Sequence, residues 1–357
     1  MFFTILLSCV DAMNGERTIS GIHNLLTGKR SSQTLQDSKG YRLDHFFGIY
    51  PSLEKKRLKR IFEKLADKQI LVIDQHQYPF LVQKGKNFLL QQGTSDFYFS
   101  GLRNQQAVQL LKSRFLLLVQ TVANVNSGKR NFFPVIEDRK VQLWVKSFYK
   151  QHVKNKSNSA FLIYEEMFSL IDDLEDLEAE LFTYRLSGGP VIGFTREQLA
   201  RFCQITIEEV DIRLEHVFHY IYSKLSQSPQ SFPKLRYCVD DLHPSSLVTQ
   251  SSEKTFQFLK HGLSLEEIAG KRNLKVSTIQ DHIVEAALVM KNFPIEQFID
   301  YEDQMLIFHA AESLKTMKLK SIYQYLDGRY TYFQLRIVLA KKQHETDQGG
   351  SYASAEH

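Results

Sequence analysis

The sequence predicts a mainly α protein with three parts: an N-terminal winged helix with a small β-hairpin, a central helical region with a helix-turn-helix, and a C-terminal helical helix-turn-helix domain. Three observations carry this. Apolar residues recur at helical spacing over most of the chain. Only two short runs, ILVID (70–74) and YPFLV (78–82), read as strands, and helices precede and follow them. A helix-turn-helix pattern occurs twice at a constant offset. At 357 residues and 43% hydrophobic content, the chain is long enough for two or three cores. A net charge of +5 permits a nucleic-acid partner without requiring one. Cys9, Cys203 and Cys238 are few, scattered and odd in number, which argues against a disulfide framework or a zinc pattern and fits a reducing cytoplasm. No apolar run is long enough to span a bilayer, so no membrane partner is expected. The start, MFFTILLSCV, has no basic residue before it and ends at Asp11; it reads as the first helix of a folded domain rather than a signal peptide.

Residues 1–92 form the first expected unit. Ile19, Ile22, Leu25 and Leu26 mark a short amphipathic helix, and Leu58, Ile61, Phe62 and Leu65 one face of a stronger one after the Pro51-Ser52 turn. The other face of the stronger helix carries Lys55, Lys56, Lys59, Arg60 and Lys64. Two readings stay open: a solvated face, or contact with DNA phosphates, which releases counterions but reads no sequence. The two strand-like runs meet at Gln75-His76-Gln77, so the hairpin would be the wing. Its tip residues His76 and Tyr78 could touch a nucleic-acid backbone or stack on a base, or be ordinary turn residues.

Residues 100–226 read as helical throughout, with Leu102 to Val125 as one helix and Trp144, the only tryptophan, as core. EEMFSLIDDLEDLEAELF concentrates carboxylates, but Phe168, Leu170, Ile171, Leu174, Leu177 and Leu181 interleave at helical spacing. An amphipathic helix with a solvated acidic face accounts for this better than acid–base chemistry. After Gly188-Gly189-Pro190, Thr195 to Ala200 aligns without a gap on Ser264 to Ala269. Val210 then falls on Ile279, and Leu214 on Ile283. The helix-turn-helix at 195–214 is the weaker reader of the two, because Glu208, Glu209 and Asp211 open its second helix. Residues 227–245 read as a linker by composition.

The C-terminal domain is expected over 246–342, with a disordered tail at 343–357. Its core motif is GLSLEEIAGKRNLKVSTIQDHI (262–283). Leu265, Ile268 and Ala269 share one face of a first helix, and Ile279 and Ile283 repeat at i, i+4 on a second. If the second helix reads DNA, Lys275, Val276, Ser277 and Gln280 would face the duplex from its N-terminal end. Ser and Gln can bond base edges, but no Arg is available for guanine, and Asp281 and Glu285 would lie near phosphate. Weak sequence preference follows.

Catalytic motifs are lacking. Gly28-Lys29-Arg30 and Gly128-Lys129-Arg130 have neither the upstream glycine nor the Ser/Thr of a phosphate-binding loop. LVIDQH (71–76) only faintly echoes the strand and acid of an ATPase. His216 and His219 stand at i, i+3, but Phe218 and Tyr220 beside them favour packing over metal. No enzyme activity, cofactor or metal is expected.

Residues 246–340, with GLSLEEIAGKRNLKVSTIQDHI and the later YTYFQLRIVLA, resemble the helicase-associated helix-turn-helix domain at the C-terminus of some bacterial RecQ-type helicases. GERTISGIHNLLTGKRSSQTLQD and FFGIYPSLEKKRLKRIFEKLADKQIL resemble bacterial YpbB-like proteins, and also the winged helix that follows the motor of RecQ helicases. The motor itself is missing. The resemblance therefore implies a non-catalytic companion of a RecQ-type helicase, binding DNA in repair or recombination. Two alternatives remain: a helix-turn-helix transcription regulator, and a protein–protein adaptor without DNA contact.

Overall fold

The computed structural model describes residues 1–92, 97–154, 158–243, 249–290 and 292–349. In chain order, helices α1 (Phe2–Met13), α2 (Ile19–Thr27), α3 (Ser32–Gly40) and α4 (Lys55–Asp67) precede strands β1 (Leu71–Ile73) and β2 (Pro79–Leu81) and helix α5 (Gln83–Gln92). The middle of the chain gives α6 (Gly101–Asn126), α7 (Arg139–Phe148), α8 (Ser159–Asp172), α9 (Asp176–Arg185), α10 (Arg196–Phe202) and α11 (Ile207–Gln227). The last part gives α12 (Gln250–Lys260), α13 (Leu265–Arg272), α14 (Val276–Val289), α15 (Tyr301–Leu314), α16 (Leu319–Tyr325) and α17 (Tyr332–Gly349). The strands pair antiparallel, Leu71 opposite Leu81 and Ile73 opposite Pro79, and form the one sheet among the described residues. The fold class is thus mainly α, with a small hairpin and helix-turn-helix units. No helix among the described residues is long and apolar enough to cross a membrane.

The chain divides into two compact units. One comprises Met1–Leu6 and Gln92–Ser245; the other comprises Leu7–Gln91 and Ser246–His357. The second is discontinuous: its N-terminal segment contributes α3, which packs on α14 and α17 of its C-terminal segment. Arg336 on α17 donates to Gln36 at 3.0 Å and to the Ser32 hydroxyl, both on α3, and pairs with Asp281 on α14 at 2.7 Å. The hairpin sits where Gly15 lacks a side chain, because a Cβ there would collide with the Phe80 ring on β2. Helix α17 runs to Gly349; the tail expected over 343–357 lies from residue 350 onward outside the described residues.

In the other unit α11 is the central helix, buried at every position from Leu214 to Tyr222. Two expectations about this unit change. The acidic stretch is two helices, α8 and α9, broken between Asp172 and Asp176. At the break the Asp173 carboxylate accepts from the Tyr220 hydroxyl and from Lys224, both at 3.1 Å. Two of its carboxylates also turn inward rather than face solvent. Glu166 accepts the N–H groups of Lys234 and Leu235, and Glu178 accepts from the His216 ring at 3.0 Å. A buried carboxylate is tolerable only with such donors around it. Burial still raises the Glu166 pKa, against the pull of the two N–H groups. Within 227–245, Leu235 and Cys238 are fully buried, so residues 232–239 of the stretch that composition marks as a linker pack in this core.

Candidate nucleic-acid interface

Helix α4 is amphipathic in the way its sequence dictates. Leu58, Phe62 and Leu65 are buried, and Lys55, Lys56, Lys59, Arg60 and Lys64 are exposed on the opposite face. Glu63 and Asp67 interrupt that face, so it is basic in balance rather than purely cationic. Lysine stems on such a face stay solvated and free to reach a polyanion.

The hairpin turn is built by one side chain. The Asp74 carboxylate accepts the N–H of His76 at 2.8 Å and of Tyr78 at 2.9 Å, and Gln77 takes the left-handed conformation at φ 68°. Asp and Asn favour such turns for this reason. The tip is anchored: the Gln77 carbonyl accepts the N–H of Ile19, at the start of α2. His76 is exposed, whereas Tyr78 is half-buried with the Lys318 ammonium 5.6 Å from its ring centroid. A cation therefore already lies near one face of the ring that the sequence offers to a nucleic acid.

The two helix-turn-helix units share their local chemistry. Thr195 and Ser264 each cap the first helix and complete a capping box, with Gln198 and Glu267. The turn residues Gln204 (φ 56°) and Asn273 (φ 52°) are both left-handed and stand at the same register. The next N–H bonds back to the small residue of the first helix in each: Ile205 to Ala200, and Leu274 to Ala269, both at 3.0 Å. Leu199, Val210 and Leu214 are buried in one; Ile268, Ile279 and Ile283 are buried in the other. The acids that open α11 are held internally. Glu209 pairs with Arg213 at 2.7 Å, and Asp211 with Arg196 at 3.1 Å.

Helix α14 is wrapped by α12, α13, α17 and α3, and is buried from Ile283 to Leu288. Of its four candidate contacts, Lys275 and Ser277 are exposed, while Val276 and Gln280 are half-buried. Both acids are engaged within the unit. Asp281 is neutralised by Arg336. Glu285 is buried and accepts the Thr249 N–H and the Ser252 hydroxyl, both at 2.6 Å, at the start of α12. Helix α14 is most open over its first turn, and Gln280, Asp281 and His282 on the next turn are half-buried.

All nine sequence-derived candidates, Lys55, Lys56, Lys59, Arg60, His76, Tyr78, Lys275, Ser277 and Gln280, belong to the discontinuous unit. Sequence reading missed Lys318 and Arg336, which reach these elements from the far end of the chain. No cluster of three or more His, Cys, Asp or Glu residues that could hold a metal occurs among the described residues. His216 and His219 serve packing and hydrogen bonding: His216 accepts the Tyr98 N–H at 3.1 Å while its other nitrogen donates to Glu178.

Residues 4–97 match the RQC domain, and residues 251–339 match a helix-turn-helix domain. Fold and matches together define a protein that carries RecQ-related accessory modules of DNA-binding type. The chain is 31% identical to Protein YpbB of Bacillus subtilis (strain 168), over 97% of this chain and 99% of the relative. It belongs to the YpbB family. No solved structure matches the chain.

Proposed function

We propose that this protein is a non-catalytic, cytoplasmic DNA-binding accessory protein that acts with a RecQ-type DNA helicase in DNA repair or recombination. One observation carries the reading: an RQC segment and a helix-turn-helix segment build one compact unit. That unit exposes the α4 cations, the wing tip and the first turn of α14. Phosphate contacts from α4 supply affinity without sequence choice, and the covered α14 limits base reading. A regulator that reads a defined site fits less well, because Gln280 is half-buried and most of α14 is enclosed.

The adaptor reading has its own support in the other unit. Phe161, Tyr164 and Phe168 stand on one face of α8 at 60%, 58% and 57% exposure, beside the exposed Glu165 and Asp172. Exposed aromatics among acids suit a protein contact better than a phosphate backbone. The test is unwinding of a forked duplex by a purified RecQ-type helicase, with and without this protein. Stimulation that the α4 variant Lys55→Ala/Lys56→Ala/Lys59→Ala/Arg60→Ala loses supports the proposal. Stimulation that survives this variant, with no DNA binding by either protein form, favours the adaptor.

A further inference from the structure

We propose that Lys318, from the C-terminal segment, makes the wing's contact with the phosphate backbone of duplex DNA, and that Tyr78 is the positioning residue that holds it there. This rests on the DNA-binding reading above. Lys318 is exposed, and its ammonium lies 5.6 Å from the Tyr78 ring centroid, within cation–π range. The pair is fixed from both sides by one short stretch of the N-terminal segment. Glu16 accepts the Thr316 hydroxyl and, at 2.9 Å, the Met317 N–H, which tethers the loop that carries Lys318. Three residues on, the Ile19 N–H holds the Gln77 carbonyl of the wing tip at 3.1 Å.

The charges around the pair favour an anion. Lys315 and Lys320 are exposed on the same segment. The nearby carboxylates are engaged, Asp74 by the His76 and Tyr78 N–H groups and Glu16 by the 316–317 loop and the Tyr41 hydroxyl. Among the described residues no carboxylate pairs with Lys318. A lysine normally loses much side-chain freedom when it grips a phosphate. Here the ring restricts the ammonium beforehand, so less is lost on binding. The occupied ring face also explains why Tyr78 acts through Lys318 rather than by stacking on a base.

The test is fluorescence anisotropy of the full chain with a short labelled duplex of random sequence, across a range of salt concentrations. Lys318→Ala should weaken binding roughly three- to tenfold and flatten the slope of log K against log salt by about 0.9, the share of one phosphate. Tyr78→Phe, which keeps the ring, should bind as the parent does. Tyr78→Leu should reproduce the Lys318→Ala loss and slope, and the Tyr78→Leu/Lys318→Ala double variant should lose no more than either single one. Thermal melting unchanged in Lys318→Ala and Tyr78→Phe separates this from a folding defect. Parent affinity and slope in Lys318→Ala, or full additivity in the double variant, overturns the inference. If the α4 variant still weakens binding in that case, the DNA-binding reading survives; if the α4 variant is also silent, that reading falls too.

Discussion

Arg336 and Asp281 form a 2.7 Å ion pair that ties α17 to the helix predicted to read DNA. The same guanidinium bonds Gln36 and Ser32, and the Gln36 amide returns a bond to the Arg336 carbonyl at 3.1 Å. One side chain thus joins three helices from both ends of the chain. Arg336→Ala should destabilise the discontinuous unit by about 1–3 kcal/mol, the range for a hydrogen-bonded charge whose partners lose their donor. Asp281→Asn should cost less than about 1 kcal/mol, because the Asp281 side chain is 48% exposed and solvent screens the pair. Urea denaturation of both variants checks the order; an Asp281→Asn loss equal to that of Arg336→Ala contradicts it.

Ile279 is fully buried and Ser277 is exposed on the same turn of α14. Ile279→Ala should lower stability by about 2–5 kcal/mol, because apolar burial is given up and a cavity is left behind. Ser277→Ala should stay within about 0.5 kcal/mol. A silent Ile279→Ala in thermal melting, together with an unfolded Ser277→Ala, would mean that the helix faces the other way.

His219 is 1% exposed, and burial, aided by His216 and Lys112, lowers its pKa from 6.5 to about 3. The folded ring stays neutral over a range where the unfolded chain binds a proton. Its contribution is therefore present above about pH 6.5 and is lost as pH falls toward 3. Between pH 7 and pH 5 this one residue should remove about 2 kcal/mol from the unit that contains it. His219→Gln should show a shallower loss over the same interval in urea midpoints. An identical pH dependence in parent and variant refutes the assignment.

The α4 cations should behave as phosphate-binding groups. Lys55→Ala/Lys56→Ala/Lys59→Ala/Arg60→Ala should weaken binding to unrelated duplexes alike and flatten the salt slope by up to about 0.9 for each phosphate no longer neutralised. Unchanged affinity and slope in a folded variant return the face to plain solvation.

The purified chain should hydrolyse no ATP, with or without DNA, since its sequence holds no GxxxxGK[ST] loop. Turnover that persists through repurification and follows the protein peak contradicts this.

Local chemistry was legible in the sequence. The repeat at 195–214 and 264–283 announced itself by register, and the structure adds a matching left-handed turn at Gln204 and Asn273. The basic face of α4 followed from Leu58, Phe62 and Leu65 alone. Pairings over long sequence separation were not legible. Nothing near Tyr78 indicates Lys318, and nothing near Asp281 indicates Arg336. Periodicity reports which face of a helix is buried, not which helix covers it. The acidic stretch misled for a related reason. Glu166 and Glu178 look solvated by composition, but Lys234, Leu235 and His216 supply their donors from elsewhere in the chain. Glu285 was misplaced likewise, because its donors are Thr249, which caps α12, and Ser252, in its first turn.

The face of α3 that packs on α14 and α17 has an order in time as well as in space. A ribosome that has just released α5 must still make everything from Gln92 to Ser245 before the covering helices emerge. Helix α14 ends at Val289, about 200 residues after α5, so at about 5–20 residues per second α3 waits roughly 10 to 40 s for the first of those helices. Leu35 is the one large apolar residue of α3 and is buried in the finished protein. The polar composition of α3, with Ser32, Gln33, Gln36 and Ser38 around that one leucine, lets the nascent segment wait in water without recruiting the wrong neighbour.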